Sequence, residues 1–306
     1  MSNFLFIFIN VIIPIFIQII LGYLLQKKFQ LNINTLSKVQ MYVFIPALLF
    51  TKIYHSDIGG KLFITIMLFC VIIFFLLYGM SWFLGKIFNY ERSEVSAFIN
   101  SVTLYNSGNY CIPLIQLLYN NPFALSVQII IMMTQNILTN SVGIFNSNIG
   151  NKGFKDAVIN TLKVPMIYIV ILAIIIKTEG IPIWPPVLSS LDILGTGLVP
   201  LALITLGAQL ANTKFSFKLH KVYLSNFMRL VLAPALAYLL TLVLGLNGVV
   251  GQVLVICSAA PTAVNSMLIA LEYKNEPDFA AQAIFTSTIF SSVTVTMVIY
   301  FATKFI

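Results

Sequence analysis

The chain has 306 residues, 59% of them hydrophobic and 8% charged, with 17 Lys and Arg against 9 Asp and Glu for a formal net charge of +8. A soluble domain carries roughly 25% charged residues, so this composition, at a mean hydropathy of +0.97, excludes a water-soluble globular protein and specifies a polytopic membrane protein. Long unalternating apolar runs such as LFITIMLFCVIIFFLLYGMSWFL (62–84) exclude a β-barrel, whose strands alternate over about 10 residues, and require helices.

Windows of about 19 residues place ten spans, near 4–25, 36–54, 62–85, 95–119, 123–147, 160–178, 187–211, 222–246, 249–271 and 279–303. The first run lacks a basic leader and a small-residue cleavage site, and is too long for a signal peptide's apolar region, so it reads as a retained span. Three cysteines, Cys70, Cys111 and Cys257, sit inside apolar runs with no CxxC or Cys/His spacing. They indicate buried apolar side chains rather than a disulfide or zinc site. No metal or cofactor is expected.

Loops after odd-numbered spans hold Lys27, Lys28, Lys86, Arg92, Lys152, Lys155, Lys163, Lys214, Lys218, Lys221 and Lys274; loops after even-numbered spans, with the tail, hold only Lys52, Lys61, Lys177 and Lys304. The excess of lysine and arginine marks the cytoplasmic side. Both termini are then expected outside the cytoplasm of a cell membrane. Basic loops facing anionic lipid account for the net charge without nucleic acid.

The four prolines of the first half, Pro14, Pro46, Pro113 and Pro122, have counterparts at Pro165, Pro200, Pro261 and Pro277, 148 to 155 residues further on. NPFA after span 4 parallels EPDFA after span 9. The expected organisation is two copies of a five-helix unit, 1–150 and 151–306. Five is odd, so the second copy is inverted, as in many secondary transporters.

Span 4 contains LYNSGNYCIPLIQLLY (104–119) and span 9 contains APTAVNSMLIALEY (260–273). Proline within a helix removes a backbone hydrogen bond and clashes with the carbonyl four residues back, at about 3 kcal/mol or more. In hydrocarbon such backbone persists only inside protein or around a wet cavity. Two breaks at corresponding places predict crossed half-helices, with Pro113 and Pro261 opening the second halves, where the missing N–H does no harm. The N–H groups beyond them favour a carboxylate. Asn106, Ser107, Asn109, Thr262 and Asn265 can bind a ligand or repair the backbone; a pair of repaired kinks is the plainer alternative.

NSGNYCIPLIQLLY resembles the fourth-span motif of the auxin efflux carrier family, which includes plant auxin exporters and bacterial organic-acid permeases. Asn106 and Pro113 match that motif, and Cys111 replaces its glycine. APTAVNSMLIALEYKNEPDFAAQAIFTSTIFSSVTVT and LSKVQMYVFIPALLF also resemble that family, and the likeness runs along essentially the whole chain. The resemblance implies an all-α fold of ten helices in two inverted repeats, with helices 4 and 9 crossed and broken, of the bile-acid-symporter and NhaA type. It implies a dimerising scaffold from spans 1, 2, 6 and 7, a transport domain from spans 3–5 and 8–10, and an elevator movement between them. Substrate would lie beside Asn106, Ser107, Asn109, Ile112, Pro113, Pro261, Thr262, Ala263, Val264 and Asn265, with Gln135 of span 5 nearby and Thr139 one turn on.

Arg229, about eight residues into span 8, either snorkels or draws anions towards the crossing. Lys38 and Asp192 lie near span ends, and His55 and His220 lie in loops. No HExxH, DDxxD or GxGD sequence occurs, so no intramembrane enzyme is expected. The reading is a secondary transporter of small organic anions, auxin-like or malate- and malonate-like. The alternative is a membrane sensor that binds such an acid without moving it. Partners are the anion, the bilayer and a second copy of the chain.

Overall fold

A computed structural model describes residues 4–55, 58–119, 121–147, 165–212 and 220–306. Its helices are α1 (Phe4–Phe29), α2 (Ile33–Tyr54), α3 (Gly60–Ile87), α4 (Arg92–Thr103), α5 (Cys111–Tyr119), α6 (Pro122–Ser147), α7 (Pro165–Thr178), α8 (Pro185–Ala211), α9 (His220–Leu244), α10 (Gly248–Ser258), α11 (Val264–Tyr273) and α12 (Pro277–Phe305). Seven of them, α1, α2, α3, α6, α8, α9 and α12, are long and apolar enough to cross a membrane. The expected fourth and ninth spans each fall on two short helices, α4 with α5 and α10 with α11. Lys152, Lys155, Lys163, Lys214 and Lys218, and the first residues of the expected sixth span, lie outside the described residues.

Prolines shape the long helices without stopping them. In α1, α2 and α9 a widened π turn, at Phe8–Ile12, Gln40–Phe44 and Met228–Leu232, precedes Pro14, Pro46 and Pro234. In each, the residue just before the proline donates its N–H five residues back: Ile13 to Phe8, Ile45 to Gln40 and Ala233 to Met228. The wider turn moves the preceding carbonyls away from the proline ring, so the clash that breaks a regular helix is relieved.

α8 lies along α1 and α2, and α7 closes against α2. The approach of α1 to α8 is set by two glycines. A Cβ on Gly22 would stand 2.1 Å from the Ile204 carbonyl oxygen, and one on Gly207 would stand 1.9 Å from that of Ile19. Small residues let membrane helices meet backbone to backbone. A second set packs around α6, which is buried on every face from Ala124 to Gln135. There α3 packs on α4 and α6, α9 on α10 and α4, and α12 on α10, α11 and α9. The two sets touch through α1 with α5 and α12, α8 with α5, and α2 with α6. Large apolar side chains such as Leu5, Ile17, Leu68, Phe83 and Val243 cover the outside, as a lipid-facing surface requires.

Candidate functional site: two irregular segments bridged between short helices

α4 ends at Thr103, and the chain then runs extended through Leu104 and Tyr105 before turning through Ser107–Tyr110 into α5. α10 ends at Ser258, and residues 259–263 lead into α11. The two irregular segments meet as a short antiparallel bridge between Tyr105 and Thr262. The Asn106 N–H donates to the Pro261 carbonyl, and the Ala263 N–H donates to the Leu104 carbonyl, both at 2.8 Å. Pro261 therefore does not open the second half-helix, as its sequence position suggests. It belongs to the extended bridge, and α11 begins three residues later, at Val264. Pro113 is the third residue of α5, still in the first turn, where proline is tolerated.

The carbonyls freed at the end of α4 each find a different donor. Ser101 accepts from the Thr262 hydroxyl at 2.8 Å, Val102 from Arg229 Nη1 at 2.7 Å and Thr103 from Gln135 Nε2 at 2.8 Å. Within the turn, Ser107 accepts from Gln128 Nε2 at 2.5 Å, and Asn106 Oδ1 accepts from the Asn109 N–H at 3.1 Å. On the other strand of the crossing, the Ser258 carbonyl accepts from Arg229 Nη2, and the Thr262 N–H donates to Ser287 Oγ at 3.1 Å. A helix end leaves its last carbonyls without intrahelical partners, and buried backbone groups must be met elsewhere. Here side chains of α6, α9 and α12 meet them, together with the Thr262 hydroxyl of the bridge.

Of the residues read from sequence, Asn106, Ser107, Ile112, Pro113, Gln135, Pro261, Thr262, Ala263 and Val264 are buried at or beside this crossing. Asn109 is half-buried, and Asn265 stands exposed on the first turn of α11. Asn106 Nδ2 is buried with no hydrogen-bond partner. The first N–H groups of α11, on Val264 and Asn265, have no intrahelical carbonyl to meet. Arg229 is 1% exposed; it does not snorkel, and its guanidinium also lies 4.8 Å from the Tyr105 ring centroid.

Sequence reasoning passed over Gln128, whose Oε1 accepts from the Cys257 thiol at 2.9 Å while its amide nitrogen holds Ser107. A signal was present: Gln128 and Gln135 are seven residues apart, two helical turns, on one face of an otherwise apolar run. Cys111 and Cys257 are buried, as expected, but both flank the crossing, with Cys111 Sγ 3.9 Å from the Cys257 carbonyl.

The described residues are almost wholly helical, and two irregular segments bridge each other in the interior of a membrane protein. The sequence profile of the family described as "Membrane transport protein" matches the chain twice, over residues 7–155 and 154–299. The chain belongs to this family, the auxin-efflux-carrier-like transporters that its motifs resemble. It is 26% identical over 293 residues to an uncharacterised transporter of Methanothermobacter thermautotrophicus, covering 92% of this chain and 94% of the relative. It is 24% identical over 299 residues to an uncharacterised transporter of Methanocaldococcus jannaschii, with the same coverage of each.

Proposed function

We propose that the protein is a secondary carrier of small organic anions, with substrate held at the crossing of the interrupted helices. The observation that carries the reading is the crossing itself: two helix starts, α5 and α11, next to a buried Asn106 amide nitrogen that has no partner. Helix N-termini favour a carboxylate, and an unmet buried donor costs about 1–3 kcal/mol, which a bound anion would recover.

Around this site we read ten spans, with α4–α5 and α10–α11 as the fourth and ninth, in two inverted five-helix repeats. The double family match, dividing the chain near residue 154, supports that reading. α1, α2, α7 and α8 are the proposed scaffold, through which two copies dimerise, and the remaining helices the moving domain of an elevator. Support comes from packing that groups the helices in the same way. The excess of lysine and arginine in loops after odd-numbered spans supports reading both termini as outside the cytoplasm of the cell membrane.

The deciding experiment is isotope flux and capacitive current in proteoliposomes against malate, malonate, lactate and indole acetate, with Asn106→Ala beside the native protein. A saturable signal for one acid that falls at least about tenfold in the variant, while its melting temperature stays near native, is the expected result. Normal transport by the variant would remove the crossing as the substrate site.

A further inference from the structure

Among the described residues Arg229 is one of the most completely buried large side chains, and no carboxylate there pairs with it: the ion pair they form joins Lys221 to Glu94. An isolated charge inside a membrane protein costs several kcal/mol, so something must play the part of its counter-ion. Its two terminal nitrogens answer the question. Nη1 donates to Val102 in the last turn of α4, and Nη2 donates to Ser258, the last residue of α10. The carboxyl end of a helix carries about half a negative elementary charge. Two such ends together offset roughly one guanidinium. The charge is matched by backbone dipoles that have no side-chain signature in the sequence.

In transporters built on discontinuous helices, a dissociable cation is coordinated by unwound carbonyls and half-helix carboxyl ends. We propose that Arg229 is a resident cation for this crossing: a positioning residue whose guanidinium spans the carboxyl ends of both first half-helices and holds them together in place of a bound metal ion. The planar fork suits the task, because its two terminal nitrogens reach two carbonyls at once where an ammonium offers one compact point of charge. The π turn Met228–Leu232 sets its direction, since one extra residue in a turn rotates a side chain by about 100° against the helix below. On the same helix face, Ser225 Oγ lies 2.6 Å from Ser101 Oγ, and beside it Asn226 Nδ2 donates to Thr286 Oγ1 at 2.7 Å. α9 is thus stitched to α4 and α12 around the arginine.

The inference rests on the crossing geometry and not on transport, so it is tested without a substrate. Melting of the detergent-purified protein is measured in choline, sodium, potassium and guanidinium chloride at equal, non-denaturing concentration. The native protein should be indifferent to the cation. Arg229→Ala should melt roughly 5–10 °C lower in choline and recover a saturable part of that loss in guanidinium or an alkali cation. Arg229→Lys, able to reach one carbonyl at a time, should fall between the two. A native protein that needs sodium for its full stability would overturn the proposal. So would an Arg229→Ala protein that melts as the native one does, or one whose loss no cation restores. Should the alanine variant not fold, Arg229→Lys and the native protein's indifference to sodium carry the decision. Failure here leaves the carrier reading standing, because that is settled by flux.

Discussion

Two of the places where backbone meets backbone among the described residues achieve it by opposite means. Where α1 passes α8, both helices stay whole, and Gly22 and Gly207 remove the side chains that would hold them apart. Where the segment between α4 and α5 meets the one between α10 and α11, the chain is irregular, and the exposed backbone bonds partly across the bridge and partly to Thr262, Gln128, Gln135 and Arg229. The first contact is steric and dispersive, and its helices continue through it, past the π turn of α1 and Pro200 of α8. The second replaces helical hydrogen bonds by others drawn from the bridge and from three further helices, α6, α9 and α12. A steric contact has one good geometry. A contact built from polar partners can exchange them, and that is the property a ligand site needs.

The largest effect should come from the glycine contact. Gly207→Leu puts side-chain atoms where the Ile19 carbonyl already is, and overpacking of this kind typically costs about 1–3 kcal/mol, occasionally more. The backbone of a neighbouring helix cannot swing aside as a side chain can, so the upper end is expected. The protein should then fail to elute as a single species in size-exclusion chromatography, while Gly79→Leu, at a site with open space around it, should behave as native.

A matched pair of glutamines sharpens the comparison. Gln135→Leu leaves the buried Thr103 carbonyl without its donor, which should lower stability by about 1–3 kcal/mol. Gln40 makes a similar contact in the other set, donating to Thr205 Oγ1 at 2.5 Å. Thr205 keeps its own bond to the Leu201 carbonyl at 2.7 Å when that donor goes, so Gln40→Leu strands nothing and should cost less than about 1 kcal/mol. Melting temperatures of the two variants, measured in one detergent, decide it. Equal losses would mean that the polar contacts of the crossing are no more demanding than those of the glycine-packed set.

How much of this was legible beforehand follows the same division. Asn106, Ser107, Gly108 and Asn109 ahead of Pro113 announce broken backbone because hydrocarbon tolerates none without a reason. The positions of α1, α2, α3, α6, α8, α9 and α12 follow from their apolar runs. Pro261 misled, since proline at the first position of a helix and proline in an extended segment look alike in sequence. Arg229 was visible as a charge but not as a bridge, because its partners are carbonyls, which every residue has. Gly22 and Gly207 were silent for a related reason: a glycine in an apolar run shows its purpose only when the facing helix is known.

The smallest effect belongs to the rim of the second set. Two turns before Arg229, Lys221 of α9 pairs with Glu94 at the start of α4, so the same two helices are tied once inside and once at the surface. The hydrogen bond from Lys221, opposed in part by burial and helped by the Glu91 N–H, holds the Glu94 carboxyl below the usual carboxylate range. A depressed acid stabilises the fold above its unfolded value of about 4.3, and that contribution is lost as pH falls through the lower folded value. Partly exposed pairs of this sort contribute about 0–1 kcal/mol. Glu94→Gln should therefore lower the melting temperature slightly near neutral pH, with the gap closing as the pH is taken to about 3. A loss as large as that of Arg229→Ala would move the clasp between α9 and α4 from the buried carbonyls to the surface pair. The contrast between an inner tie made of backbone dipoles and an outer one made of side chains would then fail.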